Sequence, residues 1–341
     1  MDRIRFGVVG TNFITDWVIA GALQDSRFEL VAVCSRSEER AEEFARKHDI
    51  PHRFTSLEEM AASPFIDAVY IATPNFLHAS QSILCMSCGK HVLCEKPLAS
   101  TAAEAREMLA ASERYNVTLM EAMKPTLTPN FKSVMDNIGK AGKVRRYFSS
   151  YCQYSSRYDR FKAGEAVNAF RLEYSNGAIM DIGVYTIYPM VVLFGMPDRI
   201  SASGTLLSSG TDGQGSALFR YGDGMEAAVL YSKIADSYLP SEIQGEDGTI
   251  VIDRINLIGN VSFIPRRRNV TGGRGEQTTI ETLSRPAGRD EYYYEVAEFI
   301  DLILSGRRES FINSHRNSLS VMEIIDEIRH QTGIVFPVDR Q

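Results

Sequence analysis

Cysteine is scarce in this sequence, and the few cysteines present argue against a disulfide framework. The chain has 5 cysteines in 341 residues, an odd number for a paired set. Cys85 and Cys88 form a C-x-x-C pair late in a predicted helix, with no second such pair and no histidine at metal-binding spacing. We therefore expect reduced cysteines that pack as small apolar residues, and no metal site.

Long apolar runs and an excess of basic residues are also missing. No apolar stretch reaches the roughly 18 residues of a membrane span, and no basic leader with an apolar segment precedes the first predicted strand. The formal net charge is −6 and the pI is about 5.6, which does not favour nucleic acid or an anionic membrane surface. The sequence predicts a cytoplasmic protein without a nucleic-acid or membrane partner.

The composition that remains, 44% hydrophobic and 23% charged, is that of a soluble globular protein long enough for two domains. In residues 1–122, six short strands alternate with amphipathic helices. This pattern predicts βαβ units and a doubly wound parallel sheet. The six predicted strands are RFGVVG, LVAVCS, PHRF, AVYIAT, HVLCE and TLMEA.

The pattern changes in residues 123–341, where strands follow one another across hairpin turns such as Asp223-Gly224. Hairpin-linked strands predict a mostly antiparallel sheet, and thus a second domain. Two predicted helices close the chain and end at Gly306 and Gly333. The stretch from Arg266 to Gly288, which begins with three arginines, is predicted to be a loop with a solvated basic face.

A degraded dinucleotide fingerprint follows the first strand, in GVVGTNFIT at 7–15. Gly10 fills the first glycine position, but Asn12 and Thr15 occupy the second and third. Either cofactor binding or a plain strand-to-helix turn would explain it. For the cofactor interpretation, asparagine tolerates a left-handed backbone, and its side chain is expected to crowd or hydrogen-bond the phosphates. The predicted cofactor contacts here are Gly10, Thr11, Asn12, Phe13 and Ile14.

The end of the second strand carries Ser35 and Arg36, with Arg40 one helical turn later. An NAD-preferring site usually has an acidic residue here for the ribose 2′-hydroxyl, and this chain has none until Glu38. Arginines are the donors that a 2′-phosphate requires. A solvent-facing basic helix start is the alternative, and we favour NADP over NAD.

The fourth strand ends in the turn Thr73-Pro74-Asn75, beside the first strand if the strand order is Rossmann-like. We predict cofactor contacts from this turn. His78, three residues later, has the pattern of a core or helix-start histidine when it is considered alone.

The fifth strand delivers Glu95 and Lys96 into a proline-marked turn, in GKHVLCEKPLAS at 89–100. Open α/β sheets bind ligands at the carboxyl ends of their strands, although a surface ion pair would have the same sequence. Asp181 and Tyr185, in SNGAIMDIGVYTIYPM at 175–190, share one face if that stretch is helical. A carboxylate in such an apolar setting needs a hydrogen-bonding or cationic partner if it is buried.

Taken together, these residues resemble the Gfo/Idh/MocA oxidoreductase family over nearly the whole chain. The matching segments are the amino-terminal fingerprint, TPN with His78, GKHVLCEKPLA, EAM, MDIGVY and the closing SVMEIIDEIR helix. The resemblance implies a Rossmann domain over 1–122 and a substrate-binding and oligomerisation domain over 123–341. It implies a large, open, mostly antiparallel sheet in the second domain, and an active site between the two.

The resemblance also implies roles for single residues. Lys96 matches the family's EKP lysine beside the nicotinamide and the reacting oxygen, and Asp181 and Tyr185 match its Asp-x-Gly-x-His/Tyr motif. Tyrosine in the last position resembles the branch with glucose-fructose oxidoreductase and the dihydrodiol and xylose dehydrogenases, which use NADP. The segment EAMKPTLTP departs from the family pattern by placing Lys124 there, which bears on the substrate. The resemblance adds His78 and Glu95 to the cofactor site.

These observations predict an NADP-dependent enzyme that transfers a hydride between nicotinamide and a hydroxyl or carbonyl carbon of a sugar, polyol or cyclic diol. Tyr185 would be the acid or base, with its phenolate favoured by Lys96. Lys96, Lys124, Asp181 and Tyr185 would contact the substrate, while Glu95 would position Lys96 or the cofactor. The alternatives are an NADP-binding sensor and a redox-neutral enzyme that never releases its cofactor. An open sheet predicts a homodimer or homotetramer.

Overall fold

The computed structural model describes residues 3–266 and 279–340, and its first part forms a six-stranded sheet. All its strands are parallel, in the order β3-β2-β1-β4-β5-β6. The strands are β1 (Ile4–Val9), β2 (Phe28–Cys34), β3 (His52–Phe54), β4 (Ala68–Ile71), β5 (His91–Glu95) and β6 (Leu119–Ala122). This is the Rossmann order, so the predicted doubly wound parallel sheet is confirmed.

Five helices connect these strands, and a side chain caps the amino end of four of them. They are α1 (Phe13–Ala22), α2 (Glu38–Lys47), α3 (Leu57–Ala62), α4 (His78–Ser87) and α5 (Ala102–Tyr115). At α5, Thr101 Oγ1 accepts the Glu104 N–H at 3.2 Å and the Glu104 carboxylate accepts the Ser100 N–H at 2.9 Å. These contacts fix where α5 begins and therefore the length of the loop that follows β5.

The strand order brings three loops to one edge of this sheet. β1 lies between β2 and β4, and β5 lies beside β4. The carboxyl ends of parallel strands point the same way. The loops after β1, β4 and β5 therefore converge at the switch point of the sheet, where α/β proteins bind ligands.

The second part of the chain forms an eight-stranded sheet in the order β14-β13-β12-β11-β7-β10-β9-β8. Its strands are β7 (Val144–Cys152), β8 (Arg199–Leu206), β9 (Asp212–Arg220), β10 (Glu226–Ser232), β11 (Ser241–Gly245), β12 (Gly248–Ile252), β13 (Val261–Pro265) and β14 (Glu281–Thr282). Its helices are α6 (Pro129–Asn137), α7 (Tyr158–Lys162), α8 (Val184–Phe194), α9 (Glu291–Leu304) and α10 (His315–Thr332). The predicted large and mostly antiparallel sheet is confirmed.

One pair of neighbours in this sheet is parallel. β7 pairs with β10 in parallel, while the other neighbouring strands of this sheet, including β7 and β11, pair antiparallel. A parallel pair needs a crossover, which the long chain between β7 and β10 provides. Reasoning from hairpins covers only strands that are adjacent in sequence, so it did not predict this pair.

Helix α9 follows the second sheet in sequence but packs on the first. Phe299 of α9 is fully buried, and its ring centroid lies 6.0 Å from that of Phe6 in β1. The same apolar cluster contains Tyr70 of β4 and Leu93 of β5. The alternate residues of β4 and β5, such as Ile71 and Cys94, pack in the other main cluster. α9 thus covers one face of the strands that carry the ligand-binding loops.

Helical residues Leu172–Phe194 are long and apolar enough to span a membrane, which corrects the expectation that no segment reaches that length. In the protein, 72% of the 18-residue apolar window within this stretch is buried. It is therefore accounted for as a core helix that carries Asp181 and Tyr185. Of the predicted loop at 266–288, residues 267–278, with two of the three arginines, lie outside the described part of the chain.

Candidate active site

The fingerprint turn joins β1 to α1 and depends on Gly10. Its φ is +105°, and a Cβ there would lie 2.5 Å from the Ala72 carbonyl oxygen, so only glycine fits. Asn12 caps α1: its Oδ1 accepts the Ile14 N–H at 2.8 Å, and its Nδ2 donates to the Ala72 oxygen at 2.7 Å. The Thr15 hydroxyl donates to the Gly10 oxygen at 3.0 Å. This turn leaves the amino end of α1 suitable for a pyrophosphate.

The Asn12 side chain bonds the protein in this structure, and its contact with the cofactor phosphates stays a prediction. The φ of Asn12 is −96°, which any residue can adopt. Thr11 and Ile14 are half-buried on the same turn, and Phe13 is exposed. The guanidinium of Arg157, on the segment before α7, lies 5.7 Å from the Phe13 ring centroid, a contact between the two parts of the chain that the sequence analysis did not predict.

Arg36 and Arg40 stand at the end of β2 and in the first turns of α2, and both are exposed. Within residues 3–266 and 279–340, neither guanidinium has a carboxylate partner. Ser35, beside them, is half-buried and donates its N–H to the Phe54 carbonyl oxygen at 3.1 Å. Two unpaired guanidinium groups where β2 ends suit a 2′-phosphate better than a 2′-hydroxyl.

The turn after β4 is held from both sides. Thr73 Oγ1 donates to Gln81 of α4 at 2.7 Å, and half-buried Pro74 follows it. The Asn75 amide donates to the Ser175 carbonyl oxygen at 2.8 Å, in the segment that leads to Asp181. Asn75 therefore connects the first sheet to the segment that carries the other half of the site.

His78 holds two turns together behind the site. It is fully buried, with Nδ1 2.9 Å from the Pro97 oxygen and Nε2 2.9 Å from the Thr73 oxygen. Burial lowers the pKa of His78 despite these carbonyl contacts. Both ring nitrogens contact main-chain oxygens, so the predicted direct contact of His78 with a cofactor does not fit this geometry. His78 instead supports the turns that follow β4 and β5.

Lys96 and Asp181 meet across the two sheets. Lys96 Nζ donates to the main-chain oxygen of Asp181 at 2.8 Å and to its Oδ1 at 3.1 Å. The same ammonium lies 4.9 Å from the centroid of the Tyr185 ring. Burial disfavours the charge of Lys96, but Asp181 and Glu95 outweigh it and raise the pKa of the ammonium. The structure thus brings the three predicted catalytic side chains together.

Asp181 lies in a π-helical turn, Ile179–Gly183, that leads directly into α8. Burial alone would raise its pKa, but the ammonium groups of Lys233 and Lys96 hold that pKa below its usual range. Lys233, just after β10, donates to Asp181 Oδ2 at 2.6 Å. The sequence analysis missed Lys233, because one lysine after an apolar strand gives no sign of a partner 52 residues earlier.

Tyr185 is half-buried at the start of α8, with its ring edge-on to Tyr151 of β7 at 5.7 Å between centroids. Burial raises the pKa of Tyr185 well above 10, and Glu95 and Tyr151 add to the shift. The expectation that Lys96 brings this phenol toward a neutral pKa is therefore wrong for the protein without ligands. Tyr185 is protonated in this state, as a proton donor must be.

Glu95 faces away from Asp181 and toward the helix α9 side of the first sheet. The Tyr70 hydroxyl donates to its Oε1 at 2.5 Å. Burial raises the pKa of Glu95, with Lys96 opposing the shift. On α9, both carboxyl oxygens of Glu295 are buried without a hydrogen-bond partner among the residues described, and burial and Glu95 raise the pKa of Glu295. Glu95 thus lies beside Lys96 on the α9 side of the sheet, where its negative charge favours the ammonium form of Lys96.

Lys124 pairs with Glu291 of α9, and its ammonium lies 4.2 Å from the Tyr292 ring centroid. It is buried and directed toward α9, whereas Lys96 and Lys233 are directed toward Asp181. Substrate contact by Lys124 therefore stays a prediction.

Two family models match the chain. The model described as "Oxidoreductase family, NAD-binding Rossmann fold", GFO_IDH_MocA, matches residues 4–123, and the GFO/IDH/MocA C-terminal domain matches residues 135–251.

Full-length relatives and a solved structure are also similar. The chain is 50% identical to scyllo-inositol 2-dehydrogenase (NADP(+)) IolU of Bacillus subtilis over 337 residues, 99% of each protein. It is 28% identical to trans-1,2-dihydrobenzene-1,2-diol dehydrogenase of Mus musculus over 99% of each. The structure of KijD10, a 3-ketoreductase from Actinomadura kijaniata in complex with NADP and TDP-benzene, superimposes with a TM-score of 0.84 at 22% identity, covering 97% of this chain and 98% of that one. At 22% identity, the similarity to KijD10 supports the fold alone.

Proposed function

Because the chain belongs to the Gfo/Idh/MocA oxidoreductase family, we propose that it transfers a hydride between NADP and a hydroxyl or carbonyl carbon of a sugar, polyol or cyclic diol. The observation that carries the proposal is the convergence of Lys96, Asp181 and Tyr185 from the two sheets, at 2.8 Å and 3.1 Å from Lys96 to Asp181 and 4.9 Å from Lys96 to the Tyr185 ring. An ammonium and a phenol side by side can hold one substrate oxygen and move its proton.

The residues of the first sheet fit NADP. The turn at Gly10 has no room for a Cβ and precedes the helix α1, which suits a pyrophosphate. Arg36 and Arg40 would hold the 2′-phosphate, with Ser35 beside them. Thr73, Pro74 and Asn75 would line the site where β4 ends. NADP, when bound, accepts or supplies the hydride.

The side chains of the site would divide the remaining chemistry among themselves. Lys96 would donate an N–H to the substrate oxygen and favour negative charge on it. Tyr185 holds a proton at neutral pH and would donate it to that oxygen during reduction. During oxidation Tyr185 must first lose this proton, which the ammonium of Lys96 favours. Asp181 would orient Lys96 and bond a substrate hydroxyl.

A cyclic polyol is the first substrate to test. The relative that is 50% identical over 99% of both chains is a scyllo-inositol 2-dehydrogenase, and the 28% identical relative acts on a cyclic diol, as its name states. Both kinds of molecule carry vicinal hydroxyl groups on a ring. The arrangement of Lys96, Asp181 and Tyr185 offers donors and an acceptor for two such neighbouring oxygens.

We also propose that residues 123–341 bind substrate and form a homodimer or homotetramer through the second sheet. Leu218 of β9 is 62% exposed while its neighbours Ala217 and Phe219 are buried, so the face of the sheet that carries Leu218 is open to a partner there. All five cysteines are free, which supports a reducing, cytoplasmic location. Light scattering of the intact chain tests the oligomer.

The function is tested by following reduced-nicotinamide absorbance with inositols, dihydrodiols, sugars and linear polyols, with NADP and NAD side by side. We expect turnover with a cyclic polyol or diol and a preference for NADP. A Tyr185→Phe variant, which keeps the ring but removes the phenolic proton, serves as the matched control and should lose turnover about 100-fold or more. Binding of NADP without turnover of any member of the panel would favour a sensor and refute the proposal.

A further inference from the structure

Lys233 is a buried lysine whose side chain reaches Asp181 of the site. Its side chain is 4% exposed. Its Nζ donates to Asp181 Oδ2 at 2.6 Å and to the Ala169 carbonyl oxygen at 3.2 Å, and it lies 5.0 Å from the Phe170 ring centroid. A buried ammonium is costly unless a carboxylate and hydrogen bonds compensate it, and here Asp181 is the carboxylate.

The two lysines divide the Asp181 carboxylate between them. Lys96 bonds Oδ1 at 3.1 Å, and Lys233 bonds Oδ2 at the shorter distance of 2.6 Å. Together, the ammonium groups of Lys96 and Lys233 and the carboxylate of Asp181 form a group with a net charge of one positive. A Lys96–Asp181 pair alone would be neutral, so Lys233 is the source of that excess charge.

We propose that Lys233 is a positioning residue that acts through Asp181: by holding one carboxylate oxygen, it leaves the Lys96 ammonium free to bond the reacting oxygen and keeps the site positively charged. The inference rests on the proposed dehydrogenase function. It assigns a role in the reaction to a residue of the second sheet that lies outside the EKP and Asp-x-Gly-x-Tyr motifs.

The charge excess has a consequence for proton transfer at Tyr185. During oxidation Tyr185 Oη must lose its proton to accept another from the substrate hydroxyl, and a nearby positive charge favours the deprotonated form. If Lys233 is removed, the charge of the group falls from one to zero and the pKa of Tyr185 rises further. The ascending, base-dependent limb of the pH–rate profile for oxidation then moves to higher pH.

Other charged and titratable groups face this cluster and stay in place when Lys233 is changed. Around Lys96 these groups are Glu95, Glu121, Tyr151 and His78. Asp212 lies beside Lys233. Arg254 and Glu291 face Tyr151, and Glu295 faces Tyr185. Because the variants to be compared differ only at position 233, the contribution of these groups cancels in the comparison.

The first test compares Lys233→Met with Lys233→Arg over the pH range of oxidation. We expect Lys233→Met to move the ascending limb up by about one pH unit, so that its activity deficit is largest at low pH and shrinks as pH rises. Lys233→Arg keeps the charge and should leave the limb in place. The Kd for NADP should stay within about threefold of wild type in both.

Lys90→Met is the matched control for removal of a buried lysine. Lys90 is buried, and among the described residues its Nζ donates only to the carbonyl oxygens of Ser63 and Ile66, at 2.7 Å and 2.8 Å, away from the site. Its loss should lower stability without moving the pH limb. If Lys233→Met lowers activity by the same factor at every pH, Lys233 only supports the fold around Ala169 and Phe170, and the inference is overturned.

A double-mutant cycle with Asp181→Asn tests whether Lys233 acts through Asp181. We expect Lys233→Met to lower kcat much less when Asp181 is already asparagine, because Lys233 then has no carboxylate oxygen to hold; an undiminished loss would contradict the proposal. Lys233→Gln gives a second route if the methionine variant does not fold.

One measurement decides the inference without turnover. Lys96 is acetylated with acetic anhydride at fixed alkaline pH, and its rate is compared with that of exposed Lys132 by peptide mass spectrometry. We expect the Lys96 rate to fall about tenfold in Lys233→Met, because the Lys96 ammonium then no longer shares Asp181 with a second lysine. An unchanged rate overturns the inference. If the wild-type chain turns over no substrate, the proposed function fails, and this rate still reports on Lys233.

Discussion

Arg36 and Arg40 are the residues that would distinguish NADP from NAD. We predict that Arg36→Gln together with Arg40→Gln raises the KM for NADP about 100-fold or more and leaves the KM for NAD nearly unchanged. The reason is the loss of charge-assisted hydrogen bonds to the 2′-phosphate, each worth about 1.5–3 kcal/mol. The measurement is the KM for both cofactors at saturating substrate.

Arg46→Gln is the control for this pair. Arg46 lies near the other end of α2, is highly exposed and pairs with Glu42 at 3.0 Å. Its change removes an arginine from the same helix without touching the proposed site, and both KM values should stay as in wild type. Equal losses for NADP and NAD in the double variant would mean that the two arginines do not contact the 2′-phosphate.

Sequence patterns located the residues whose neighbours are close in the chain. Gly10 and the Ser35–Arg40 segment could be placed because strand ends and helix caps are local features. The bond from the Asn12 amide to the Ala72 oxygen was not predicted, since the two residues lie 60 positions apart. Lys233 was missed for the same reason, because its role depends on a contact with Asp181 that no local pattern encodes.

Helix α9 determines how stable the first sheet is, although it follows the second sheet in sequence. We predict that Phe299→Ala lowers the free energy of unfolding by about 3–5 kcal/mol, since Phe299 is fully buried and lies 6.0 Å from Phe6 between ring centroids. Denaturant unfolding, followed with and without NADP, measures this change.

Loss of α9 contacts should also weaken NADP binding, because α9 underlies β4 and β5.

Leu304→Ala gives the comparison for α9. Leu304 ends the same helix and is 44% exposed, so its truncation should cost less than about 1 kcal/mol. Equal costs for the two variants would show that α9 does not pack firmly on the first sheet.

The positions of helices and strands followed from hydrophobic periodicity and capping residues, but their partners did not. The apolar stripe of α9 predicts that one face is buried and leaves open which sheet it covers. β7 and β10 pair in parallel across a long crossover, whereas sequence patterns indicate only the pairing of consecutive strands. The two-residue strand β14 is too short to give any periodic pattern.

The two sheets meet where Lys96 follows β5 and Asp181 lies in the turn that leads into α8. Neither composition nor periodicity places these residues near each other, because they are 85 positions apart. The expectation that they converge came from the family resemblance. Their direct contact explains why the EKP and Asp-x-Gly-x-Tyr motifs occur in one chain, since each supplies half of one site.

The proposed reaction depends on Lys96 being the group that meets the reacting oxygen, and the kinetics of Lys96→Met test this role most directly. We predict that kcat falls about 1,000-fold while the Kd for NADP, from titration of nicotinamide fluorescence, stays within about threefold of wild type. Lys90→Met, a buried lysine on the same segment, should keep its kcat. A Lys96→Met enzyme that turns over as fast as wild type would contradict the proposed role of Lys96.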